Sequence, residues 1–316
     1  MRMLVTGGAG LIGHHLVRAL LERGHDVTVI DDFSSGSRSR LDAFGDRIAL
    51  VEGSILDADA LDAAAAGCDV IFHEAAITSV ARSIVAPLET DAVNVRGTIE
   101  VVLAGTRHGV RRVVFAGSSS VHGVPESLPC RESNLPAPMS PYGVSKLAAE
   151  HYLHALGRLH GIDTVVLRYF NVFGPGQDPK SEYAAVVPAF VTAILDGRRP
   201  TVNGTGEISR DFIYVDNVVA ANLLASESAC PSGLTCNIAS GSRASLLDLL
   251  RSISQAAELP VKPVFGPPRA GDILESQADI SLARRVLGYD DVVPFDEGIR
   301  RTVSWYRETT PSAEDC

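Results

Sequence analysis

Tyr142 and Lys146 stand four residues apart in the stretch Ser140-Pro141-Tyr142-Gly143-Val144-Ser145-Lys146, within a helical pattern. Residues at i and i+4 share one helix face, so the phenol and the ammonium point the same way. A phenol ionises near pH 10 and is a poor base at neutrality, but a nearby positive charge stabilises the phenolate and makes it a proton acceptor. Upstream, the apolar strand Val113–Ala116 ends in Gly117-Ser118-Ser119-Ser120. A serine hydroxyl at that strand end would share the proton by hydrogen bond. A surface tyrosine beside a solvated lysine gives the same spacing, so the flanking elements have to decide.

Those elements begin at the N-terminus, MRMLVTGGAGLIG. An apolar run (Met3, Leu4, Val5) breaks into Gly7, Gly10 and Gly13, and Leu11, Ile12, Leu16, Val17 and Leu20 follow at roughly helical spacing. That is strand, glycine turn, helix. Glycines allow the tight turn and let backbone N–H groups approach a pyrophosphate at the helix N-terminus, while Gly13 lets helix and strand pack closely. A second apolar strand, Val27–Ile30, ends in Asp31 and Asp32, at the distance where a carboxylate caps the adenosine ribose. The acidic loop Asp31-Asp32-Phe33-Ser34-Ser35-Gly36 would repel a 2′-phosphate, which favours NAD over NADP. Arg38 and Arg40 could rescue such a phosphate or stand as solvated surface charges. A nicotinamide ring adds positive charge beside Lys146, and Tyr142 could then take a proton from a sugar hydroxyl as hydride leaves the same carbon.

The rest of the chain agrees with this frame. Strand runs Met3–Val5, Val27–Ile30, Ile48–Val51, Val70–Phe72, Val113–Ala116 and Thr164–Leu167 alternate with helical patterns, which predicts α/β architecture, a Rossmann-type doubly wound parallel sheet. Beyond Gly174, prolines and glycines interrupt shorter elements. The expected division is a dinucleotide-binding domain over 1–174, with later segments free to return to it, and a smaller C-terminal substrate-binding region over 175–316, ending in a disordered tail near 308–316. In His73-Glu74-Ala75-Ala76, Glu74 is odd in so apolar a setting and either faces the cofactor or reaches solvent. With 316 residues, 46% hydrophobic, and a net charge of −10, the chain is large enough for a sizeable core and too acidic for a nucleic-acid or anionic-membrane footprint. Five cysteines without a CxxC pair suggest neither a metal site nor a disulfide framework, and the chain reads as cytoplasmic.

In this order, TGGAGLIG, SPYGVSK, LRYFNVFGPGQDP, RDFIYVDNV and PRAGDILESQAD resemble the extended short-chain dehydrogenase/reductase family, and within it the nucleotide-sugar 4-epimerases. The resemblance implies NAD as cofactor, a UDP-sugar as substrate and a homodimer built through the Tyr142 helix. It implies that Tyr142 is the base, Lys146 its lysine and Ser118 the proton-sharing hydroxyl. NAD would be held by Gly7, Gly10, Leu11, Ile12, Gly13, Asp31, Asp32, Ser35, Gly36, Ser54, Ile55, Ala75, Ala76, Asn94, Tyr142, Lys146 and Tyr169. The nucleotide sugar would meet Ser118, Ser119, Ser120, Asn171, Val187, Val202, Asn203, Arg210, Arg269, Asp272 and Ser276.

Two departures stand out: His122 replaces a tyrosine, and Ser54 replaces an acid near adenine. Dehydratases of the family carry an Asp–Glu pair within the serine motif, where this chain has Ser119 and Ser120, which leaves reversible oxidation at C4. Ser276, at the position that gates bulk at C2, is small and leaves room for an N-acetyl group. The expected substrate is a UDP-N-acetylhexosamine, a UDP-hexose or both, with a UDP-glucuronate 4-epimerase, another nucleotide-sugar-modifying member or a non-catalytic NAD sensor as alternatives.

Overall fold

The computed structural model describes residues 1–179, 185–268, 274–290 and 293–309. Six strands, β1 (Arg2–Thr6), β2 (Asp26–Asp31), β3 (Ile48–Glu52), β4 (Val70–His73), β5 (Arg112–Ser118) and β6 (Asp163–Tyr169), arise where the apolar runs lie. With a returning strand, Leu234–Ile238, they form one sheet in the order Leu234–Ile238, β6, β5, β4, β1, β2, β3. Every pairing in it is parallel. The order reverses between β1 and β4, and such a switch point opens a crevice at the carboxyl ends of the strands.

Alternating residues along each strand feed two separate cores. Met3, Val5, Phe72, Val114 and Leu167 pack on one face with helix α1 (Leu11–Glu22) and helix Val215–Glu227. Leu4, Ile71, Val113, Phe115 and Val166 pack on the other with helices Ala58–Ala65, Gly97–Arg107 and Pro141–His160. A third core, around Phe173, Phe190, Phe212, Leu249 and Ile299, belongs to the C-terminal region. Three short two-stranded pairings surround it.

Beyond 174 the chain returns to the first sheet through Leu234–Ile238, whose Thr235 stands opposite Val166 of β6. This seventh strand was not legible in the sequence, because Leu-Thr-Cys-Asn-Ile is short and mixed. Its Asn237 is fully buried and is satisfied by donating to the Cys130 carbonyl and receiving from His122. The expected tail also needs correction at its start. Helix Phe295–Thr309 carries Glu308 and Thr309, and 310–316 lie outside the described residues.

The helix Pro141–His160 is the element that positions the chemistry, and its limits follow from its sequence. Ser140 caps it by accepting the Gly143 N–H at 3.1 Å, Pro141 occupies the first turn, and Gly161 ends it at φ 73°. A buried ion pair fixes it against the sheet: the Arg168 guanidinium of β6 donates from Nε and Nη2 to the Glu150 carboxylate, the shortest contact being 2.8 Å. Removing one partner of such a pair leaves the other charge buried alone. Arg168→Met is therefore expected to lower unfolding free energy by about 3 kcal/mol in urea titrations, and a loss under about 1 kcal/mol would mean that the pair does not hold the helix.

Candidate functional site

The glycine turn is set by what approaches it. Gly7 sits at φ 70°, and a Cβ there would lie 2.7 Å from the Ala75 nitrogen; a Cβ on Gly13 would lie 2.2 Å from the Gly7 carbonyl. Helix α1 starts at Leu11, so the N–H groups of Leu11 and Ile12 have no carbonyl four residues back to bond. This is a cradle that backbone alone can line, and it fits a dinucleotide pyrophosphate. Asp31 is buried at the end of β2, where its carboxylate accepts the Ala9 and Phe33 N–H groups, both at 2.8 Å. It thus braces the glycine turn besides standing where an adenosine ribose would lie. Burial raises its proton affinity, and those two N–H groups oppose the rise.

Neighbouring residues divide between cleft and scaffold. Ser35 and Gly36 follow in the loop after β2, and a Cβ on Gly36 would meet Ala9 at 2.7 Å. Arg38 pairs with Glu52 and lies over the Phe33 ring. Arg40 donates to the carbonyls of Ala9 (2.8 Å) and Gly176 (2.5 Å), bridging the glycine turn to the first loop of the C-terminal region. Arg38 is thus the exposed surface charge of the sequence reading, held in an ion pair, whereas Arg40 is a scaffold bridge and not a solvated charge. Ser54 turns the chain into helix Ala58–Ala65 by accepting the Leu56 N–H at 3.3 Å. Ile55 needs a correction: its side chain is buried in the second core, so only its backbone is free to meet adenine. Asn94 needs another. It is buried and its side chain is taken up within the protein, where it holds the N–H and carbonyl of Ile77 and donates to Ser145. It lies in a π-helical turn, Ala92–Arg96, a form that recurs at functional sites.

Across the ends of β4, β5 and β6 the chemistry residues converge. The Tyr142 phenol lies near the Ser118 hydroxyl, and Ser118 shares a 2.8 Å hydrogen bond with Ser120. Lys146 is buried, donates from Nζ to the Ala116 carbonyl at 3.0 Å and lies 4.8 Å from the Phe115 ring centre. Burial lowers the ammonium to about 8, against the opposing pull of Glu74 and Glu150. Burial raises the Tyr142 phenol above its ordinary value, and the nearby Ser118 hydroxyl opposes this. The expected lowering of Tyr142 by Lys146 is therefore not a property of the protein alone. It needs a further positive charge in the cleft, which a nicotinamide ring supplies.

Ala75 and Ala76 are half-buried beside the glycine turn, where the Ala75 N–H reaches the Thr6 hydroxyl at 3.2 Å. Thr6, His73 and Thr98 form a chain the sequence reading missed, with contacts of 2.8 and 3.0 Å. Thr98 spends its proton on the Asn94 carbonyl, so His73 donates from Nε2 and accepts at Nδ1. Burial holds it neutral, near 3. Tyr169 donates to Glu74 at 2.9 Å and accepts from Asn222 at 2.7 Å. Glu74 thus faces the cleft's floor and not open solvent. His122, which stands where the family has a tyrosine, is buried behind Phe170.

On the substrate side, Ser119 and Ser120 form the short turn after β5. Asn171 donates from backbone and side chain to the Asp211 carbonyl. Arg210, Ser209 and Ser276 come together, since the Ser276 N–H reaches the Ser209 carbonyl at 3.2 Å and Arg210 donates to that same carbonyl at 3.0 Å. Asn203 ends the strand Thr201–Asn203 and is half-buried. Val187 and Val202 are corrections: both are buried in the third core, and their side chains fill it instead of offering a ligand surface. Arg269 and Asp272 lie outside the described residues.

A parallel doubly wound sheet with a glycine cradle, an acidic second strand and a Tyr-x-x-x-Lys helix defines a dinucleotide-dependent enzyme of the short-chain type. The chain belongs to the NAD dependent epimerase/dehydratase family, whose pattern it matches over residues 3–239. It is 40% identical over 311 residues to a UDP-glucose 4-epimerase of Mycolicibacterium smegmatis, covering 97% of this chain and 99% of the relative. The structure is similar to a UDP-glucose 4-epimerase of Thermotoga maritima solved with UDP-glucose (TM-score 0.93, 36% identity, 98% and 99% of the two chains). It is equally similar to a UDP-N-acetylglucosamine 4-epimerase of Methanobrevibacter ruminantium in complex with UDP-N-acetylmuramic acid (TM-score 0.93, 37% identity, 98% and 99%).

The cradle makes a direct demand. Gly13→Ala puts a methyl 2.2 Å from the Gly7 carbonyl, so the turn must open. Purified protein carrying this change is expected to hold less than about a tenth of the wild-type NAD, a loss of more than about 1.4 kcal/mol, when cofactor is released by denaturation and assayed. Undiminished NAD content would show that this turn does not bind it.

Proposed function

We propose that the protein is an NAD-dependent UDP-sugar 4-epimerase that accepts UDP-N-acetylhexosamines as well as UDP-hexoses. The observation that carries this reading is the meeting of Tyr142, Ser118 and Lys146 at the end of β5, with serines and no carboxylate at 119 and 120. When bound, NAD supplies the hydride chemistry, taking hydride from C4 and returning it to the opposite face of a 4-keto sugar. The Tyr142 phenolate takes the O4 proton, Ser118 shares it by hydrogen bond, and the phenol later gives it back. Lys146 supplies a fixed positive charge to that phenolate, in a place where little water screens it. Elimination of water from C5 and C6 would need an acid and a base over those carbons, and Ser119 and Ser120 supply neither. Arg210, on its strand beside Ser276, suits the pyrophosphate.

Two further readings belong to this proposal. A homodimer is supported by the exposed apolar residues Val144, Tyr152 and Leu159, which lie along one side of the Tyr142 helix, and by Ile84, Val85 and Leu88 on the short helices packed against it. A cytoplasmic site of action is supported by Cys68, Cys130, Cys230 and Cys236, which are buried free thiols.

Incubation with UDP-glucose and with UDP-N-acetylglucosamine, resolved by anion-exchange chromatography, is expected to give the corresponding galacto isomers. Absence of both products overturns the proposal. Tyr142→Phe should lower turnover by about 100-fold or more while sugar-nucleotide binding stays within a few-fold, and unchanged turnover would remove the base. Ser276→Tyr should reduce turnover of the N-acetylated sugar at least ~10-fold more than that of the plain hexose, as a filled pocket discriminates. Equal losses would refute the gate.

A further inference from the structure

Glu74 is the first residue past β4, and no step of the proposed reaction uses it. The register pairs His73 with Phe115, which sets Glu74 level with Ala116, the residue whose carbonyl receives the Lys146 ammonium at 3.0 Å. From the far side of β5, Tyr169 stands opposite Ser118 and extends its hydroxyl to Glu74 at 2.9 Å. Asn222, on helix Val215–Glu227, donates to that same hydroxyl at 2.7 Å, so the phenol's own proton is committed to Glu74. The carboxyl is thus fixed from β6 and from the helix beneath, at the strand ends where Tyr142 and Lys146 meet.

We propose that Glu74, fixed by Tyr169 and Asn222, is the counter-charge that keeps the buried Lys146 ammonium protonated, a positioning residue acting on the proton transfer through Lys146. The assignment rests on the reading of Tyr142 and Lys146 as the proton-transfer pair. The groups that face Lys146 are few. Glu74 comes from just past β4, Glu150 from the ammonium's own helix and His73 from the end of β4, while Tyr142 stands one turn earlier on the helix. Glu150 is already neutralised by Arg168, and His73 is neutral and engaged with Thr6 and Thr98. Glu74 has no arginine. Facing it are the Tyr169 hydroxyl and Lys146, and the cost of burying its charge is what pushes it up to about 7. Above that pH it is an anion beside the ammonium, and the ammonium is favoured.

The chain holds only three lysines, Lys146, Lys180 and Lys262, so the ammonium can be followed directly. Protein grown with lysine labelled at 13Cε and purified with its NAD gives three signals, with that of Lys146 assigned by its loss in Lys146→Met. In Glu74→Gln, whose amide oxygen still accepts from Tyr169, the Lys146 midpoint should fall by about one pH unit, the size expected when one opposite charge nearby is removed. Lys180 and Lys262 should not move. The alkaline limb of kcat/KM should shift down with Lys146, because the ammonium is lost sooner. An unmoved Lys146 midpoint overturns the proposal and leaves Glu74 a tether for Tyr169. Should the variant fail to fold, the wild-type titration still decides: below its main step the Lys146 signal is expected to show a smaller one as Glu74 ionises, and no such step down to the acid limit of the fold overturns the assignment. The lysine titration needs no turnover. A shift without conversion of either UDP-sugar would keep the counter-charge and discard the reaction, and conversion without a shift would do the reverse.

Discussion

A lysine ammonium withdrawn from water is destabilised by several kcal/mol unless acceptors and opposing charge replace its hydration. Lys146 is in that position, and much of the molecule is arranged around it. The Ala116 carbonyl accepts its proton, the Phe115 ring offers a negative face, and Glu74 and Glu150 act on it from two sides. These partners come from three places: Ala116 and Phe115 from β5, Glu74 from just past β4, and Glu150 from the ammonium's own helix. The carbonyl is available because the pairing of β5 with β4 stops at Phe115, which leaves Ala116 without a partner on that side, and the ring is available because alternation turns Phe115 toward the helix. The helix stays in place because Arg168 and Glu150 clamp it one turn below the ammonium. Moving any one of these would leave a charge in the interior without compensation.

The cofactor side depends on the opposite device, the removal of side chains. Gly7 and Gly13 bring strand, turn and helix so close that a single methyl would collide with backbone. Such closeness leaves N–H groups at the start of α1 with nothing but a ligand or water to bond. The turn is then braced from outside. Asp31 holds the Ala9 N–H, and Arg40 holds the Ala9 carbonyl while also reaching Gly176. His15 contacts the Pro175 carbonyl at 2.9 Å, and Tyr306 of the last helix bonds the Gln177 carbonyl. The first loop of the substrate region is therefore tied to the cofactor turn and its helix at Pro175 and Gly176, and to the last helix at Gln177, which links the two halves of the cleft mechanically.

What could be read in the sequence follows from how local each signal is. The glycine spacing, the six long strand runs and the Tyr-x-x-x-Lys spacing are statements about neighbours along the chain, and the structure places all of them as read. Residues whose meaning depends on a distant partner were read poorly. Asn94 has no sequence mark of its bonds to Ile77 and Ser145, and Ile55 and Val187 look like any apolar residues until their cores are known. The strand Leu234–Ile238 escaped because its two polar residues find partners more than 60 positions away, His154 for Thr235 and His122 for Asn237. Glu74 could be recognised as odd, but the phenol that explains it arrives 95 residues later.

Two carboxylates, Asp211 fully buried and Glu74 half-buried, show why withdrawal from water alone does not mark a titrating group. Asp211, beside Arg210, is wholly inside the protein and accepts from the Ser240 N–H and hydroxyl, from the Gly241 N–H and from the Ala278 N–H. These four donors come from two segments that flank the substrate strand, so the carboxylate sets the spacing of Arg210 and Ser276. Burial raises it to about 6, yet all four donors favour the anion, and its charge is consumed in holding backbone. Glu74 has a single hydroxyl donor and sits near an ammonium that must itself remain charged. A carboxylate saturated by N–H groups fixes geometry, whereas one balanced between a phenol and an ammonium responds to the charge around it. The difference lies in the number of donors, and it divides the strand-end acids of this fold into those that build the cleft and those that adjust its proton affinity.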